Sequence, residues 1–219
     1  MIMRSLRPPM LMISICAAML LAACSSENKP APAPQPSKPV EQKSEFQSGR
    51  IALQRLYTTA RGWAGDAEPI RLESQYRKIE GASATANPGK AAMWRATFGS
   101  AARQLQKPYM WSGVAGADAP ERGINPGAED GFSASNTFTR TFNLVYLKID
   151  SDKAFDVAQK HGGSALLKKN PDLPVNYVLD WDPRRSELIW HIIYGQNSND
   201  PDLQIAVDAS SGNYIRKES

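Results

Sequence analysis

The chain has 219 residues and a mass of 24.0 kDa, of which 42% are hydrophobic, 8% aromatic and 22% charged, with a mean hydropathy of -0.43. That composition excludes a collagenous chain, a disulfide-dense scaffold and a multi-pass membrane protein, and leaves length for one domain or two small ones with a sizeable core. The formal net charge of +4 is too small to call for nucleic acid as a partner.

Residues 1–23 read as an export signal. Arg4 and Arg7 give a positive start, and Met10 to Ala23 runs fourteen residues without a charge. That suits the apolar region of a signal peptide and falls short of the about 20 residues of a spanning helix. The run ends Leu21-Ala22-Ala23-Cys24. This resembles the lipobox of bacterial lipoproteins, in which the cysteine is lipidated and becomes the mature N-terminus. The resemblance implies acyl chains, palmitate among them, on Cys24. It also implies sorting by the next residue, which is Ser25 rather than aspartate. The implied site is the outer membrane, lipid-anchored and facing the periplasm, or the outer face of the cell membrane if the source has one membrane. The other cysteine, Cys16, falls in the segment removed, so an oxidising compartment would find no internal pair to bridge.

Residues 24–45 read as a tether behind the lipidated cysteine. Prolines at 30, 32, 34, 36 and 39 favour an extended polyproline II chain. About 20 such residues at roughly 3.1 Å each reach on the order of 60 Å. No basic or aromatic motif around them marks a Pro-rich ligand, so the segment reads as a spacer.

The remaining chain is expected to be α+β, in two tandem units at 46–113 and 137–219. In the first, Ala52, Leu56, Ala60 and Trp63 recur at helical spacing over Ile51 to Ala64. Ile70, Leu72 and Ser74 then alternate as a strand, Asn87-Pro88-Gly89-Lys90 reads as a turn, and Trp94, Ala96 and Phe98 share one face of a second strand. A third strand is expected around Gln104 to Trp111. Residues 114–136, rich in Gly, Ala and Pro, read as a loop that is either functional or mobile. Thr137 to Ile149 reads as a further strand or pair, with Val145, Leu147 and Ile149 on one face.

The second unit repeats the order. Asp150 and Ser151 are candidate N-caps, Ala154, Phe155 and Ala158 follow at helical spacing, and Gly162-Gly163 stops the helix. Val175, Tyr177 and Leu179 alternate, Asp182-Pro183-Arg184-Arg185 reads as a type I turn, Trp190, Ile192 and Tyr194 share a face, and Leu203 to Val207 closes the unit. Met93-Trp94-Arg95 to Phe98-Gly99 parallels Ile189-Trp190-His191 to Tyr194-Gly195, which sets the tryptophans 96 residues apart. Matching Trp63 with His161 sets the helices 98 apart. Each unit is thus a helix followed by about three antiparallel strands.

The chain then reads Val207-Asp208-Ala209-Ser210-Ser211-Gly212, with Asp208 to cap a turn and Gly212 to supply positive φ. After a Trp-bearing strand, this resembles the end of a PepSY domain, a small α+β module of exported bacterial proteins proposed to bind or restrain peptidases. The resemblance covers about 150–219 and reaches 50–113 through the repeat, where Met110-Trp111-Ser112-Gly113 stands at the closing motif. It implies a protein partner in the cell envelope.

Motifs for catalysis are sparse. His161 and His191 are too few for a zinc site and read as solvated or capping groups. Asn199-Asp200-Pro201-Asp202 lacks the spacing of a calcium loop and reads as a surface turn. No nucleophile elbow, zincin motif or phosphate loop occurs. No catalytic residue, metal or cofactor is therefore expected. Asp180 and Asp182 are the carboxylates that a rival envelope hydrolase would use. Trp111 and Trp181, near turns, are the candidates for stacking on a peptidoglycan or other glycan. Residues 50–107 carry ten Lys or Arg against four Asp or Glu, and 171–219 carry four against eight, an asymmetry that can orient the units on each other or steer a partner. The expected function is a non-enzymatic, lipid-anchored binding module that engages an envelope protein.

Overall fold

The computed structural model describes residues 43–75, 83–115, 120–196 and 199–218. The expected export signal, Cys24 and the tether up to residue 42 lie outside the described residues. Among the described residues no helix is long and apolar enough to cross a membrane.

In chain order, β1 (Gln47–Ser48) leads into α1 (Gly49–Trp63), and β2 (Glu68–Ser74), β3 (Lys90–Ala91), β4 (Met93–Ser100), β5 (Leu105–Ser112), β6 (Gly123–Pro126) and β7 (Asp130–Gly131) follow. A single 3-10 turn at Leu144–Tyr146 precedes α2 (Ser151–Ala158), which passes through a π turn at Gln159–Gly163 into α3 (Ser164–Lys169). The chain ends with β8 (Val175–Asp182), β9 (Glu187–Tyr194), β10 (Leu203–Asp208) and β11 (Tyr214–Lys217). The fold is α+β. One antiparallel sheet runs β11-β10-β9-β8-β2-β4-β5-β6, with β7 also paired to β5, while β1 and β3 form a separate ladder.

The order helix, then antiparallel meander, occurs twice and fills the two halves of this sheet. The halves join through their first strands, with Arg71 opposite Asp180, Leu72 opposite Leu179 and Glu73 opposite Val178. The basic first half and acidic second half are bridged here by Arg71 and Asp180 and at the helix starts by Arg50 and Asp150. Helices α1 and α2 cover one face. Ala52, Leu53, Leu56 and Ala60 form the buried stripe of α1, and Ala154, Phe155 and Ala158 that of α2.

Strand alternation sends Trp94, Ala96 and Phe98 of β4, and Trp190, Ile192 and Tyr194 of β9, into this core, all at 0% exposure. The two tryptophan rings meet edge to face with centroids 6.4 Å apart. Each indole N–H donates at 2.9 Å to a carbonyl, Trp94 to Gln47 and Trp190 to Ile149. Both acceptors directly precede a helix N-cap, Ser48 for α1 and Asp150 for α2. Each tryptophan therefore ties the middle of its meander to the start of its helix. The caps lie 102 residues apart, so the helix register is not the 98 expected from Trp63 and His161.

The two helix starts meet on one carboxylate. Asp150 Oδ1 accepts the Ser151 N–H at 2.7 Å and the Arg50 N–H at 2.8 Å, and Oδ2 accepts the Ser48 hydroxyl at 2.6 Å. The Gly49 N–H donates to Ser151 Oγ at 2.8 Å, and that hydroxyl donates to the Gly89 carbonyl. A shared anion fits the partial positive charge at both helix ends. Gly89 has φ +69°, as the third position of a type II turn requires, and its N–H donates to the buried Tyr177 hydroxyl at 3.1 Å.

Three further sequence expectations change. Residues 114–136 are not wholly a loop, because β6 and β7 pair with the outer edge of β5 and satisfy its backbone groups. Each half consequently ends in a fourth strand, β6 or β11, rather than stopping at about three. Proline is tolerated in β6 because this is an edge strand. At the other end Asp208 accepts the Ser210 and Ser211 N–H groups, and Gly212 has φ +79°, so β10 turns into β11. Thr137 to Ile149 forms no strand. The Asn143 side chain accepts the Val145 N–H and starts the 3-10 turn, which leaves Val145 65% exposed while Leu147 is buried.

Candidate functional site

The sheet face opposite the helices carries a charged ladder. Tyr177, Leu179 and Trp181 of β8 face the helices, so Asp180 and Asp182 fall on the open face. The same parity on β9 opposes His191 to Trp190. Arg95 lies 3.7 Å from Glu73, Glu73 lies 3.1 Å from Arg71, and Arg71 pairs with Asp180. His191 then bridges two carboxylates, with Nε2 3.2 Å from Asp180 and Nδ1 2.6 Å from Glu218. Gln204 donates to Glu218 at 2.6 Å, and Arg216 pairs with Glu218 and reaches Asp182 at 4.0 Å. The ladder thus crosses from β4 to the residue that follows β11.

His191 is not the solvated or capping group expected. Its side chain is 16% exposed. Burial is the strongest influence on its pKa and lowers it. The hydrogen bonds and charges of Asp180 and Glu218 together outweigh that and raise it to about 9. The imidazolium can donate from both nitrogens at once, which the two carboxylates require. A raised folded-state pKa adds stability in full below the unfolded value of about 6.5, and that stability is lost as pH rises through about 9. Urea titrations of the protein and of His191→Gln between pH 6 and 10 should therefore converge at the alkaline end. A constant difference across that range would show that His191 is not charged in the folded state.

At the junction of the halves this ladder floors a groove of about 390 Å³. Arg71, Asp180 and His191 form its base, and Phe138, Arg140 and Trp181 line its sides. Phe138 is 88% exposed. It sits on a braced loop, because Asn136 Oδ1 accepts the Phe138 N–H at 2.8 Å, the Thr141 hydroxyl donates to Glu68 at 3.0 Å, and the Phe142 N–H donates to the Pro69 carbonyl at 2.8 Å. Trp181 is half-buried and packs on Tyr146 with ring centroids 5.3 Å apart.

The candidates read from sequence separate here. Trp111 is 3% exposed and cannot present a ring to a glycan. It stands opposite Trp94 across β4 and β5, and strand parity turns both toward the helices. Trp181 borders the groove, but its ring packs on Tyr146 and the helix-side core. Asp180 and Asp182 share the open face, but Asp180 is held by Arg71 and His191, and Asp182 Oδ1 accepts the Arg184 and Arg185 N–H groups that close the hairpin. His161 stacks on Tyr214 of β11 with centroids 3.8 Å apart. Trp63, at the end of α1, donates to Glu129, beside β7, at 2.7 Å. Each helix-end ring thus holds down the last part of its own half. Sequence reasoning missed Phe138 and Arg140. The available signal was an aromatic and a cation in the otherwise polar run Ser133-Ala134-Ser135-Asn136-Thr137-Phe138-Thr139-Arg140.

The arrangement defines an α+β protein with a charged groove where two sheet halves meet. No protein-family model matches the chain, and no curated protein matches it. Among solved structures, a putative lipoprotein from Clostridium difficile 630 is similar, with a TM-score of 0.48 and 11% identity, covering 78% of this chain and 95% of that one.

Proposed function

We propose that this is an exported envelope protein, anchored in the outer membrane by lipid on Cys24 and facing the periplasm, whose tandem PepSY-like units at 46–113 and 137–219 bind a protein partner such as a peptidase and catalyse nothing themselves. The anchor rests on Leu21-Ala22-Ala23-Cys24 behind its uncharged run, and the Pro-rich tether gives reach from the membrane. The tandem reading is supported by Trp94 and Trp190 making the same bond to the residue before each helix cap. The binding reading is carried by one observation. Three of the six exposed large apolar side chains among the described residues, Phe138, Val145 and Tyr146, cluster within 138–146. Exposed apolar side chains gathered on one segment favour an interaction site there.

Three measurements test this. Intact-mass analysis of membrane-extracted protein should show an acylated N-terminus at Cys24. An unmodified soluble chain would remove the anchor from the proposal. Full-length protein extracted in detergent should co-purify a stoichiometric envelope protein. Turnover of peptide or glycan substrates that disappears in Asp180→Asn would replace binding with catalysis.

A further inference from the structure

The groove at the junction of the halves has a chemical preference. Its floor is self-neutralised, because the four cations Arg71, Arg95, His191 and Arg216 are matched by the four carboxylates Glu73, Asp180, Asp182 and Glu218. Asp182 Oδ1 is occupied by the hairpin N–H groups, and Oδ2 lies 4.0 Å from Arg216. Few oxygens are left to receive sugar hydroxyls. What stays available is the apolar ring of Phe138, 88% exposed, and positive charge. Arg140 is exposed and makes no ion pair or side-chain hydrogen bond among the described residues. The Arg184 side chain, on the adjoining hairpin, likewise makes none among them.

We infer that this groove receives an acidic peptide segment of a partner protein, with an aromatic or branched apolar side chain against the exposed Phe138 ring and a neighbouring carboxylate on Arg140. The inference rests on the protein-binding reading above and names its site and partner chemistry. Ring burial supplies affinity, and the rim cations select acidic sequences and speed their approach. The braced loop holds Phe138 in place before the partner arrives, which lowers the ordering cost of binding.

The test uses full-length protein in detergent and an array of hexapeptides that place Phe or Leu among Asp and Glu. Asn/Gln counterparts and soluble peptidoglycan fragments serve as controls. Acidic apolar peptides should be retained over their amide counterparts and released by salt. Phe138→Ser and Arg140→Glu should each weaken retention at least tenfold without shifting the melting midpoint, because both side chains are exposed. Equal retention of the amide peptides would overturn the inference, as would peptide binding that is indifferent to both substitutions or Arg140-dependent binding of glycan fragments alone. A partner that still co-purifies with the Phe138→Ser/Arg140→Glu protein would sink this site and leave the protein-binding reading standing. Failure of any protein to co-purify, with peptides still retained, would do the reverse.

Discussion

Trp190→Ala is expected to cost about 3–5 kcal/mol of stability, the range for emptying a fully buried tryptophan site. The residue is 0% exposed and lies in the middle of β9, with Trp94 against it at 6.4 Å. Its neighbours cannot collapse into the space, because the ring is wedged between strands and helix start. A Cβ added at Gly49, in the first turn of α1, would stand 2.4 Å from the Trp190 ring. Trp190→Phe separates the contributions. It keeps most of the apolar contact and loses the N–H donated to the Ile149 carbonyl, for roughly 1–2 kcal/mol more than packing loss alone. Urea midpoints of both variants, and of Trp94→Ala, measure this. Because the rings touch, Trp94→Ala and Trp190→Ala together should deviate from additivity. A midpoint unchanged in Trp190→Ala would mean that the side chain is not in the core.

Asp150→Ala is expected to be nearly as damaging for an unrelated reason. A single N-cap is worth about 1 kcal/mol, and this carboxylate serves two helices. Its removal strips the acceptor from the Ser151 and Arg50 N–H groups and from the Ser48 hydroxyl, and it leaves Arg50 without its ion pair. The sum is roughly 2–4 kcal/mol. Asp150→Asn keeps one oxygen acceptor and should lose less than half of that. Ser48→Ala should lose least, since the Arg50 N–H bond survives. If Asp150→Ala costs no more than Ser48→Ala in urea titration, the carboxylate does not cap both helices.

Properties set by neighbouring residues were legible in the sequence. The faces of β4 and β9 follow from simple alternation, Asp150 and Ser151 stand where a helix begins, and Asp208 with Gly212 spell a turn. Properties set across a turn or across the chain were not. Trp111 faces inward because the turn 101–104 sets Ser100 opposite Leu105, and Gln104 adopts φ +56° to close it. Nothing local announces that parity. The partners of His191 lie 11 and 27 residues away, and Arg50 finds its cap 100 residues away. Val145, Leu147 and Ile149 alternate as a strand would, but a strand needs an open neighbour, and Asn143 offers the backbone a turn instead.

The antiparallel seam between β2 and β8 carries a hazard for the nascent chain. Both seam strands are first strands, so each half emerges with a row of unpaired backbone groups along the edge the other half will cover. Linkage in one chain keeps the complementary edge at high effective concentration, which favours closure within the molecule. A second chain offers the same edge, however, and pairing with it would exchange halves between two copies through the same contacts. Refolding at high protein concentration should therefore yield swapped dimers, and substitutions that weaken either half before the seam has closed should increase their share.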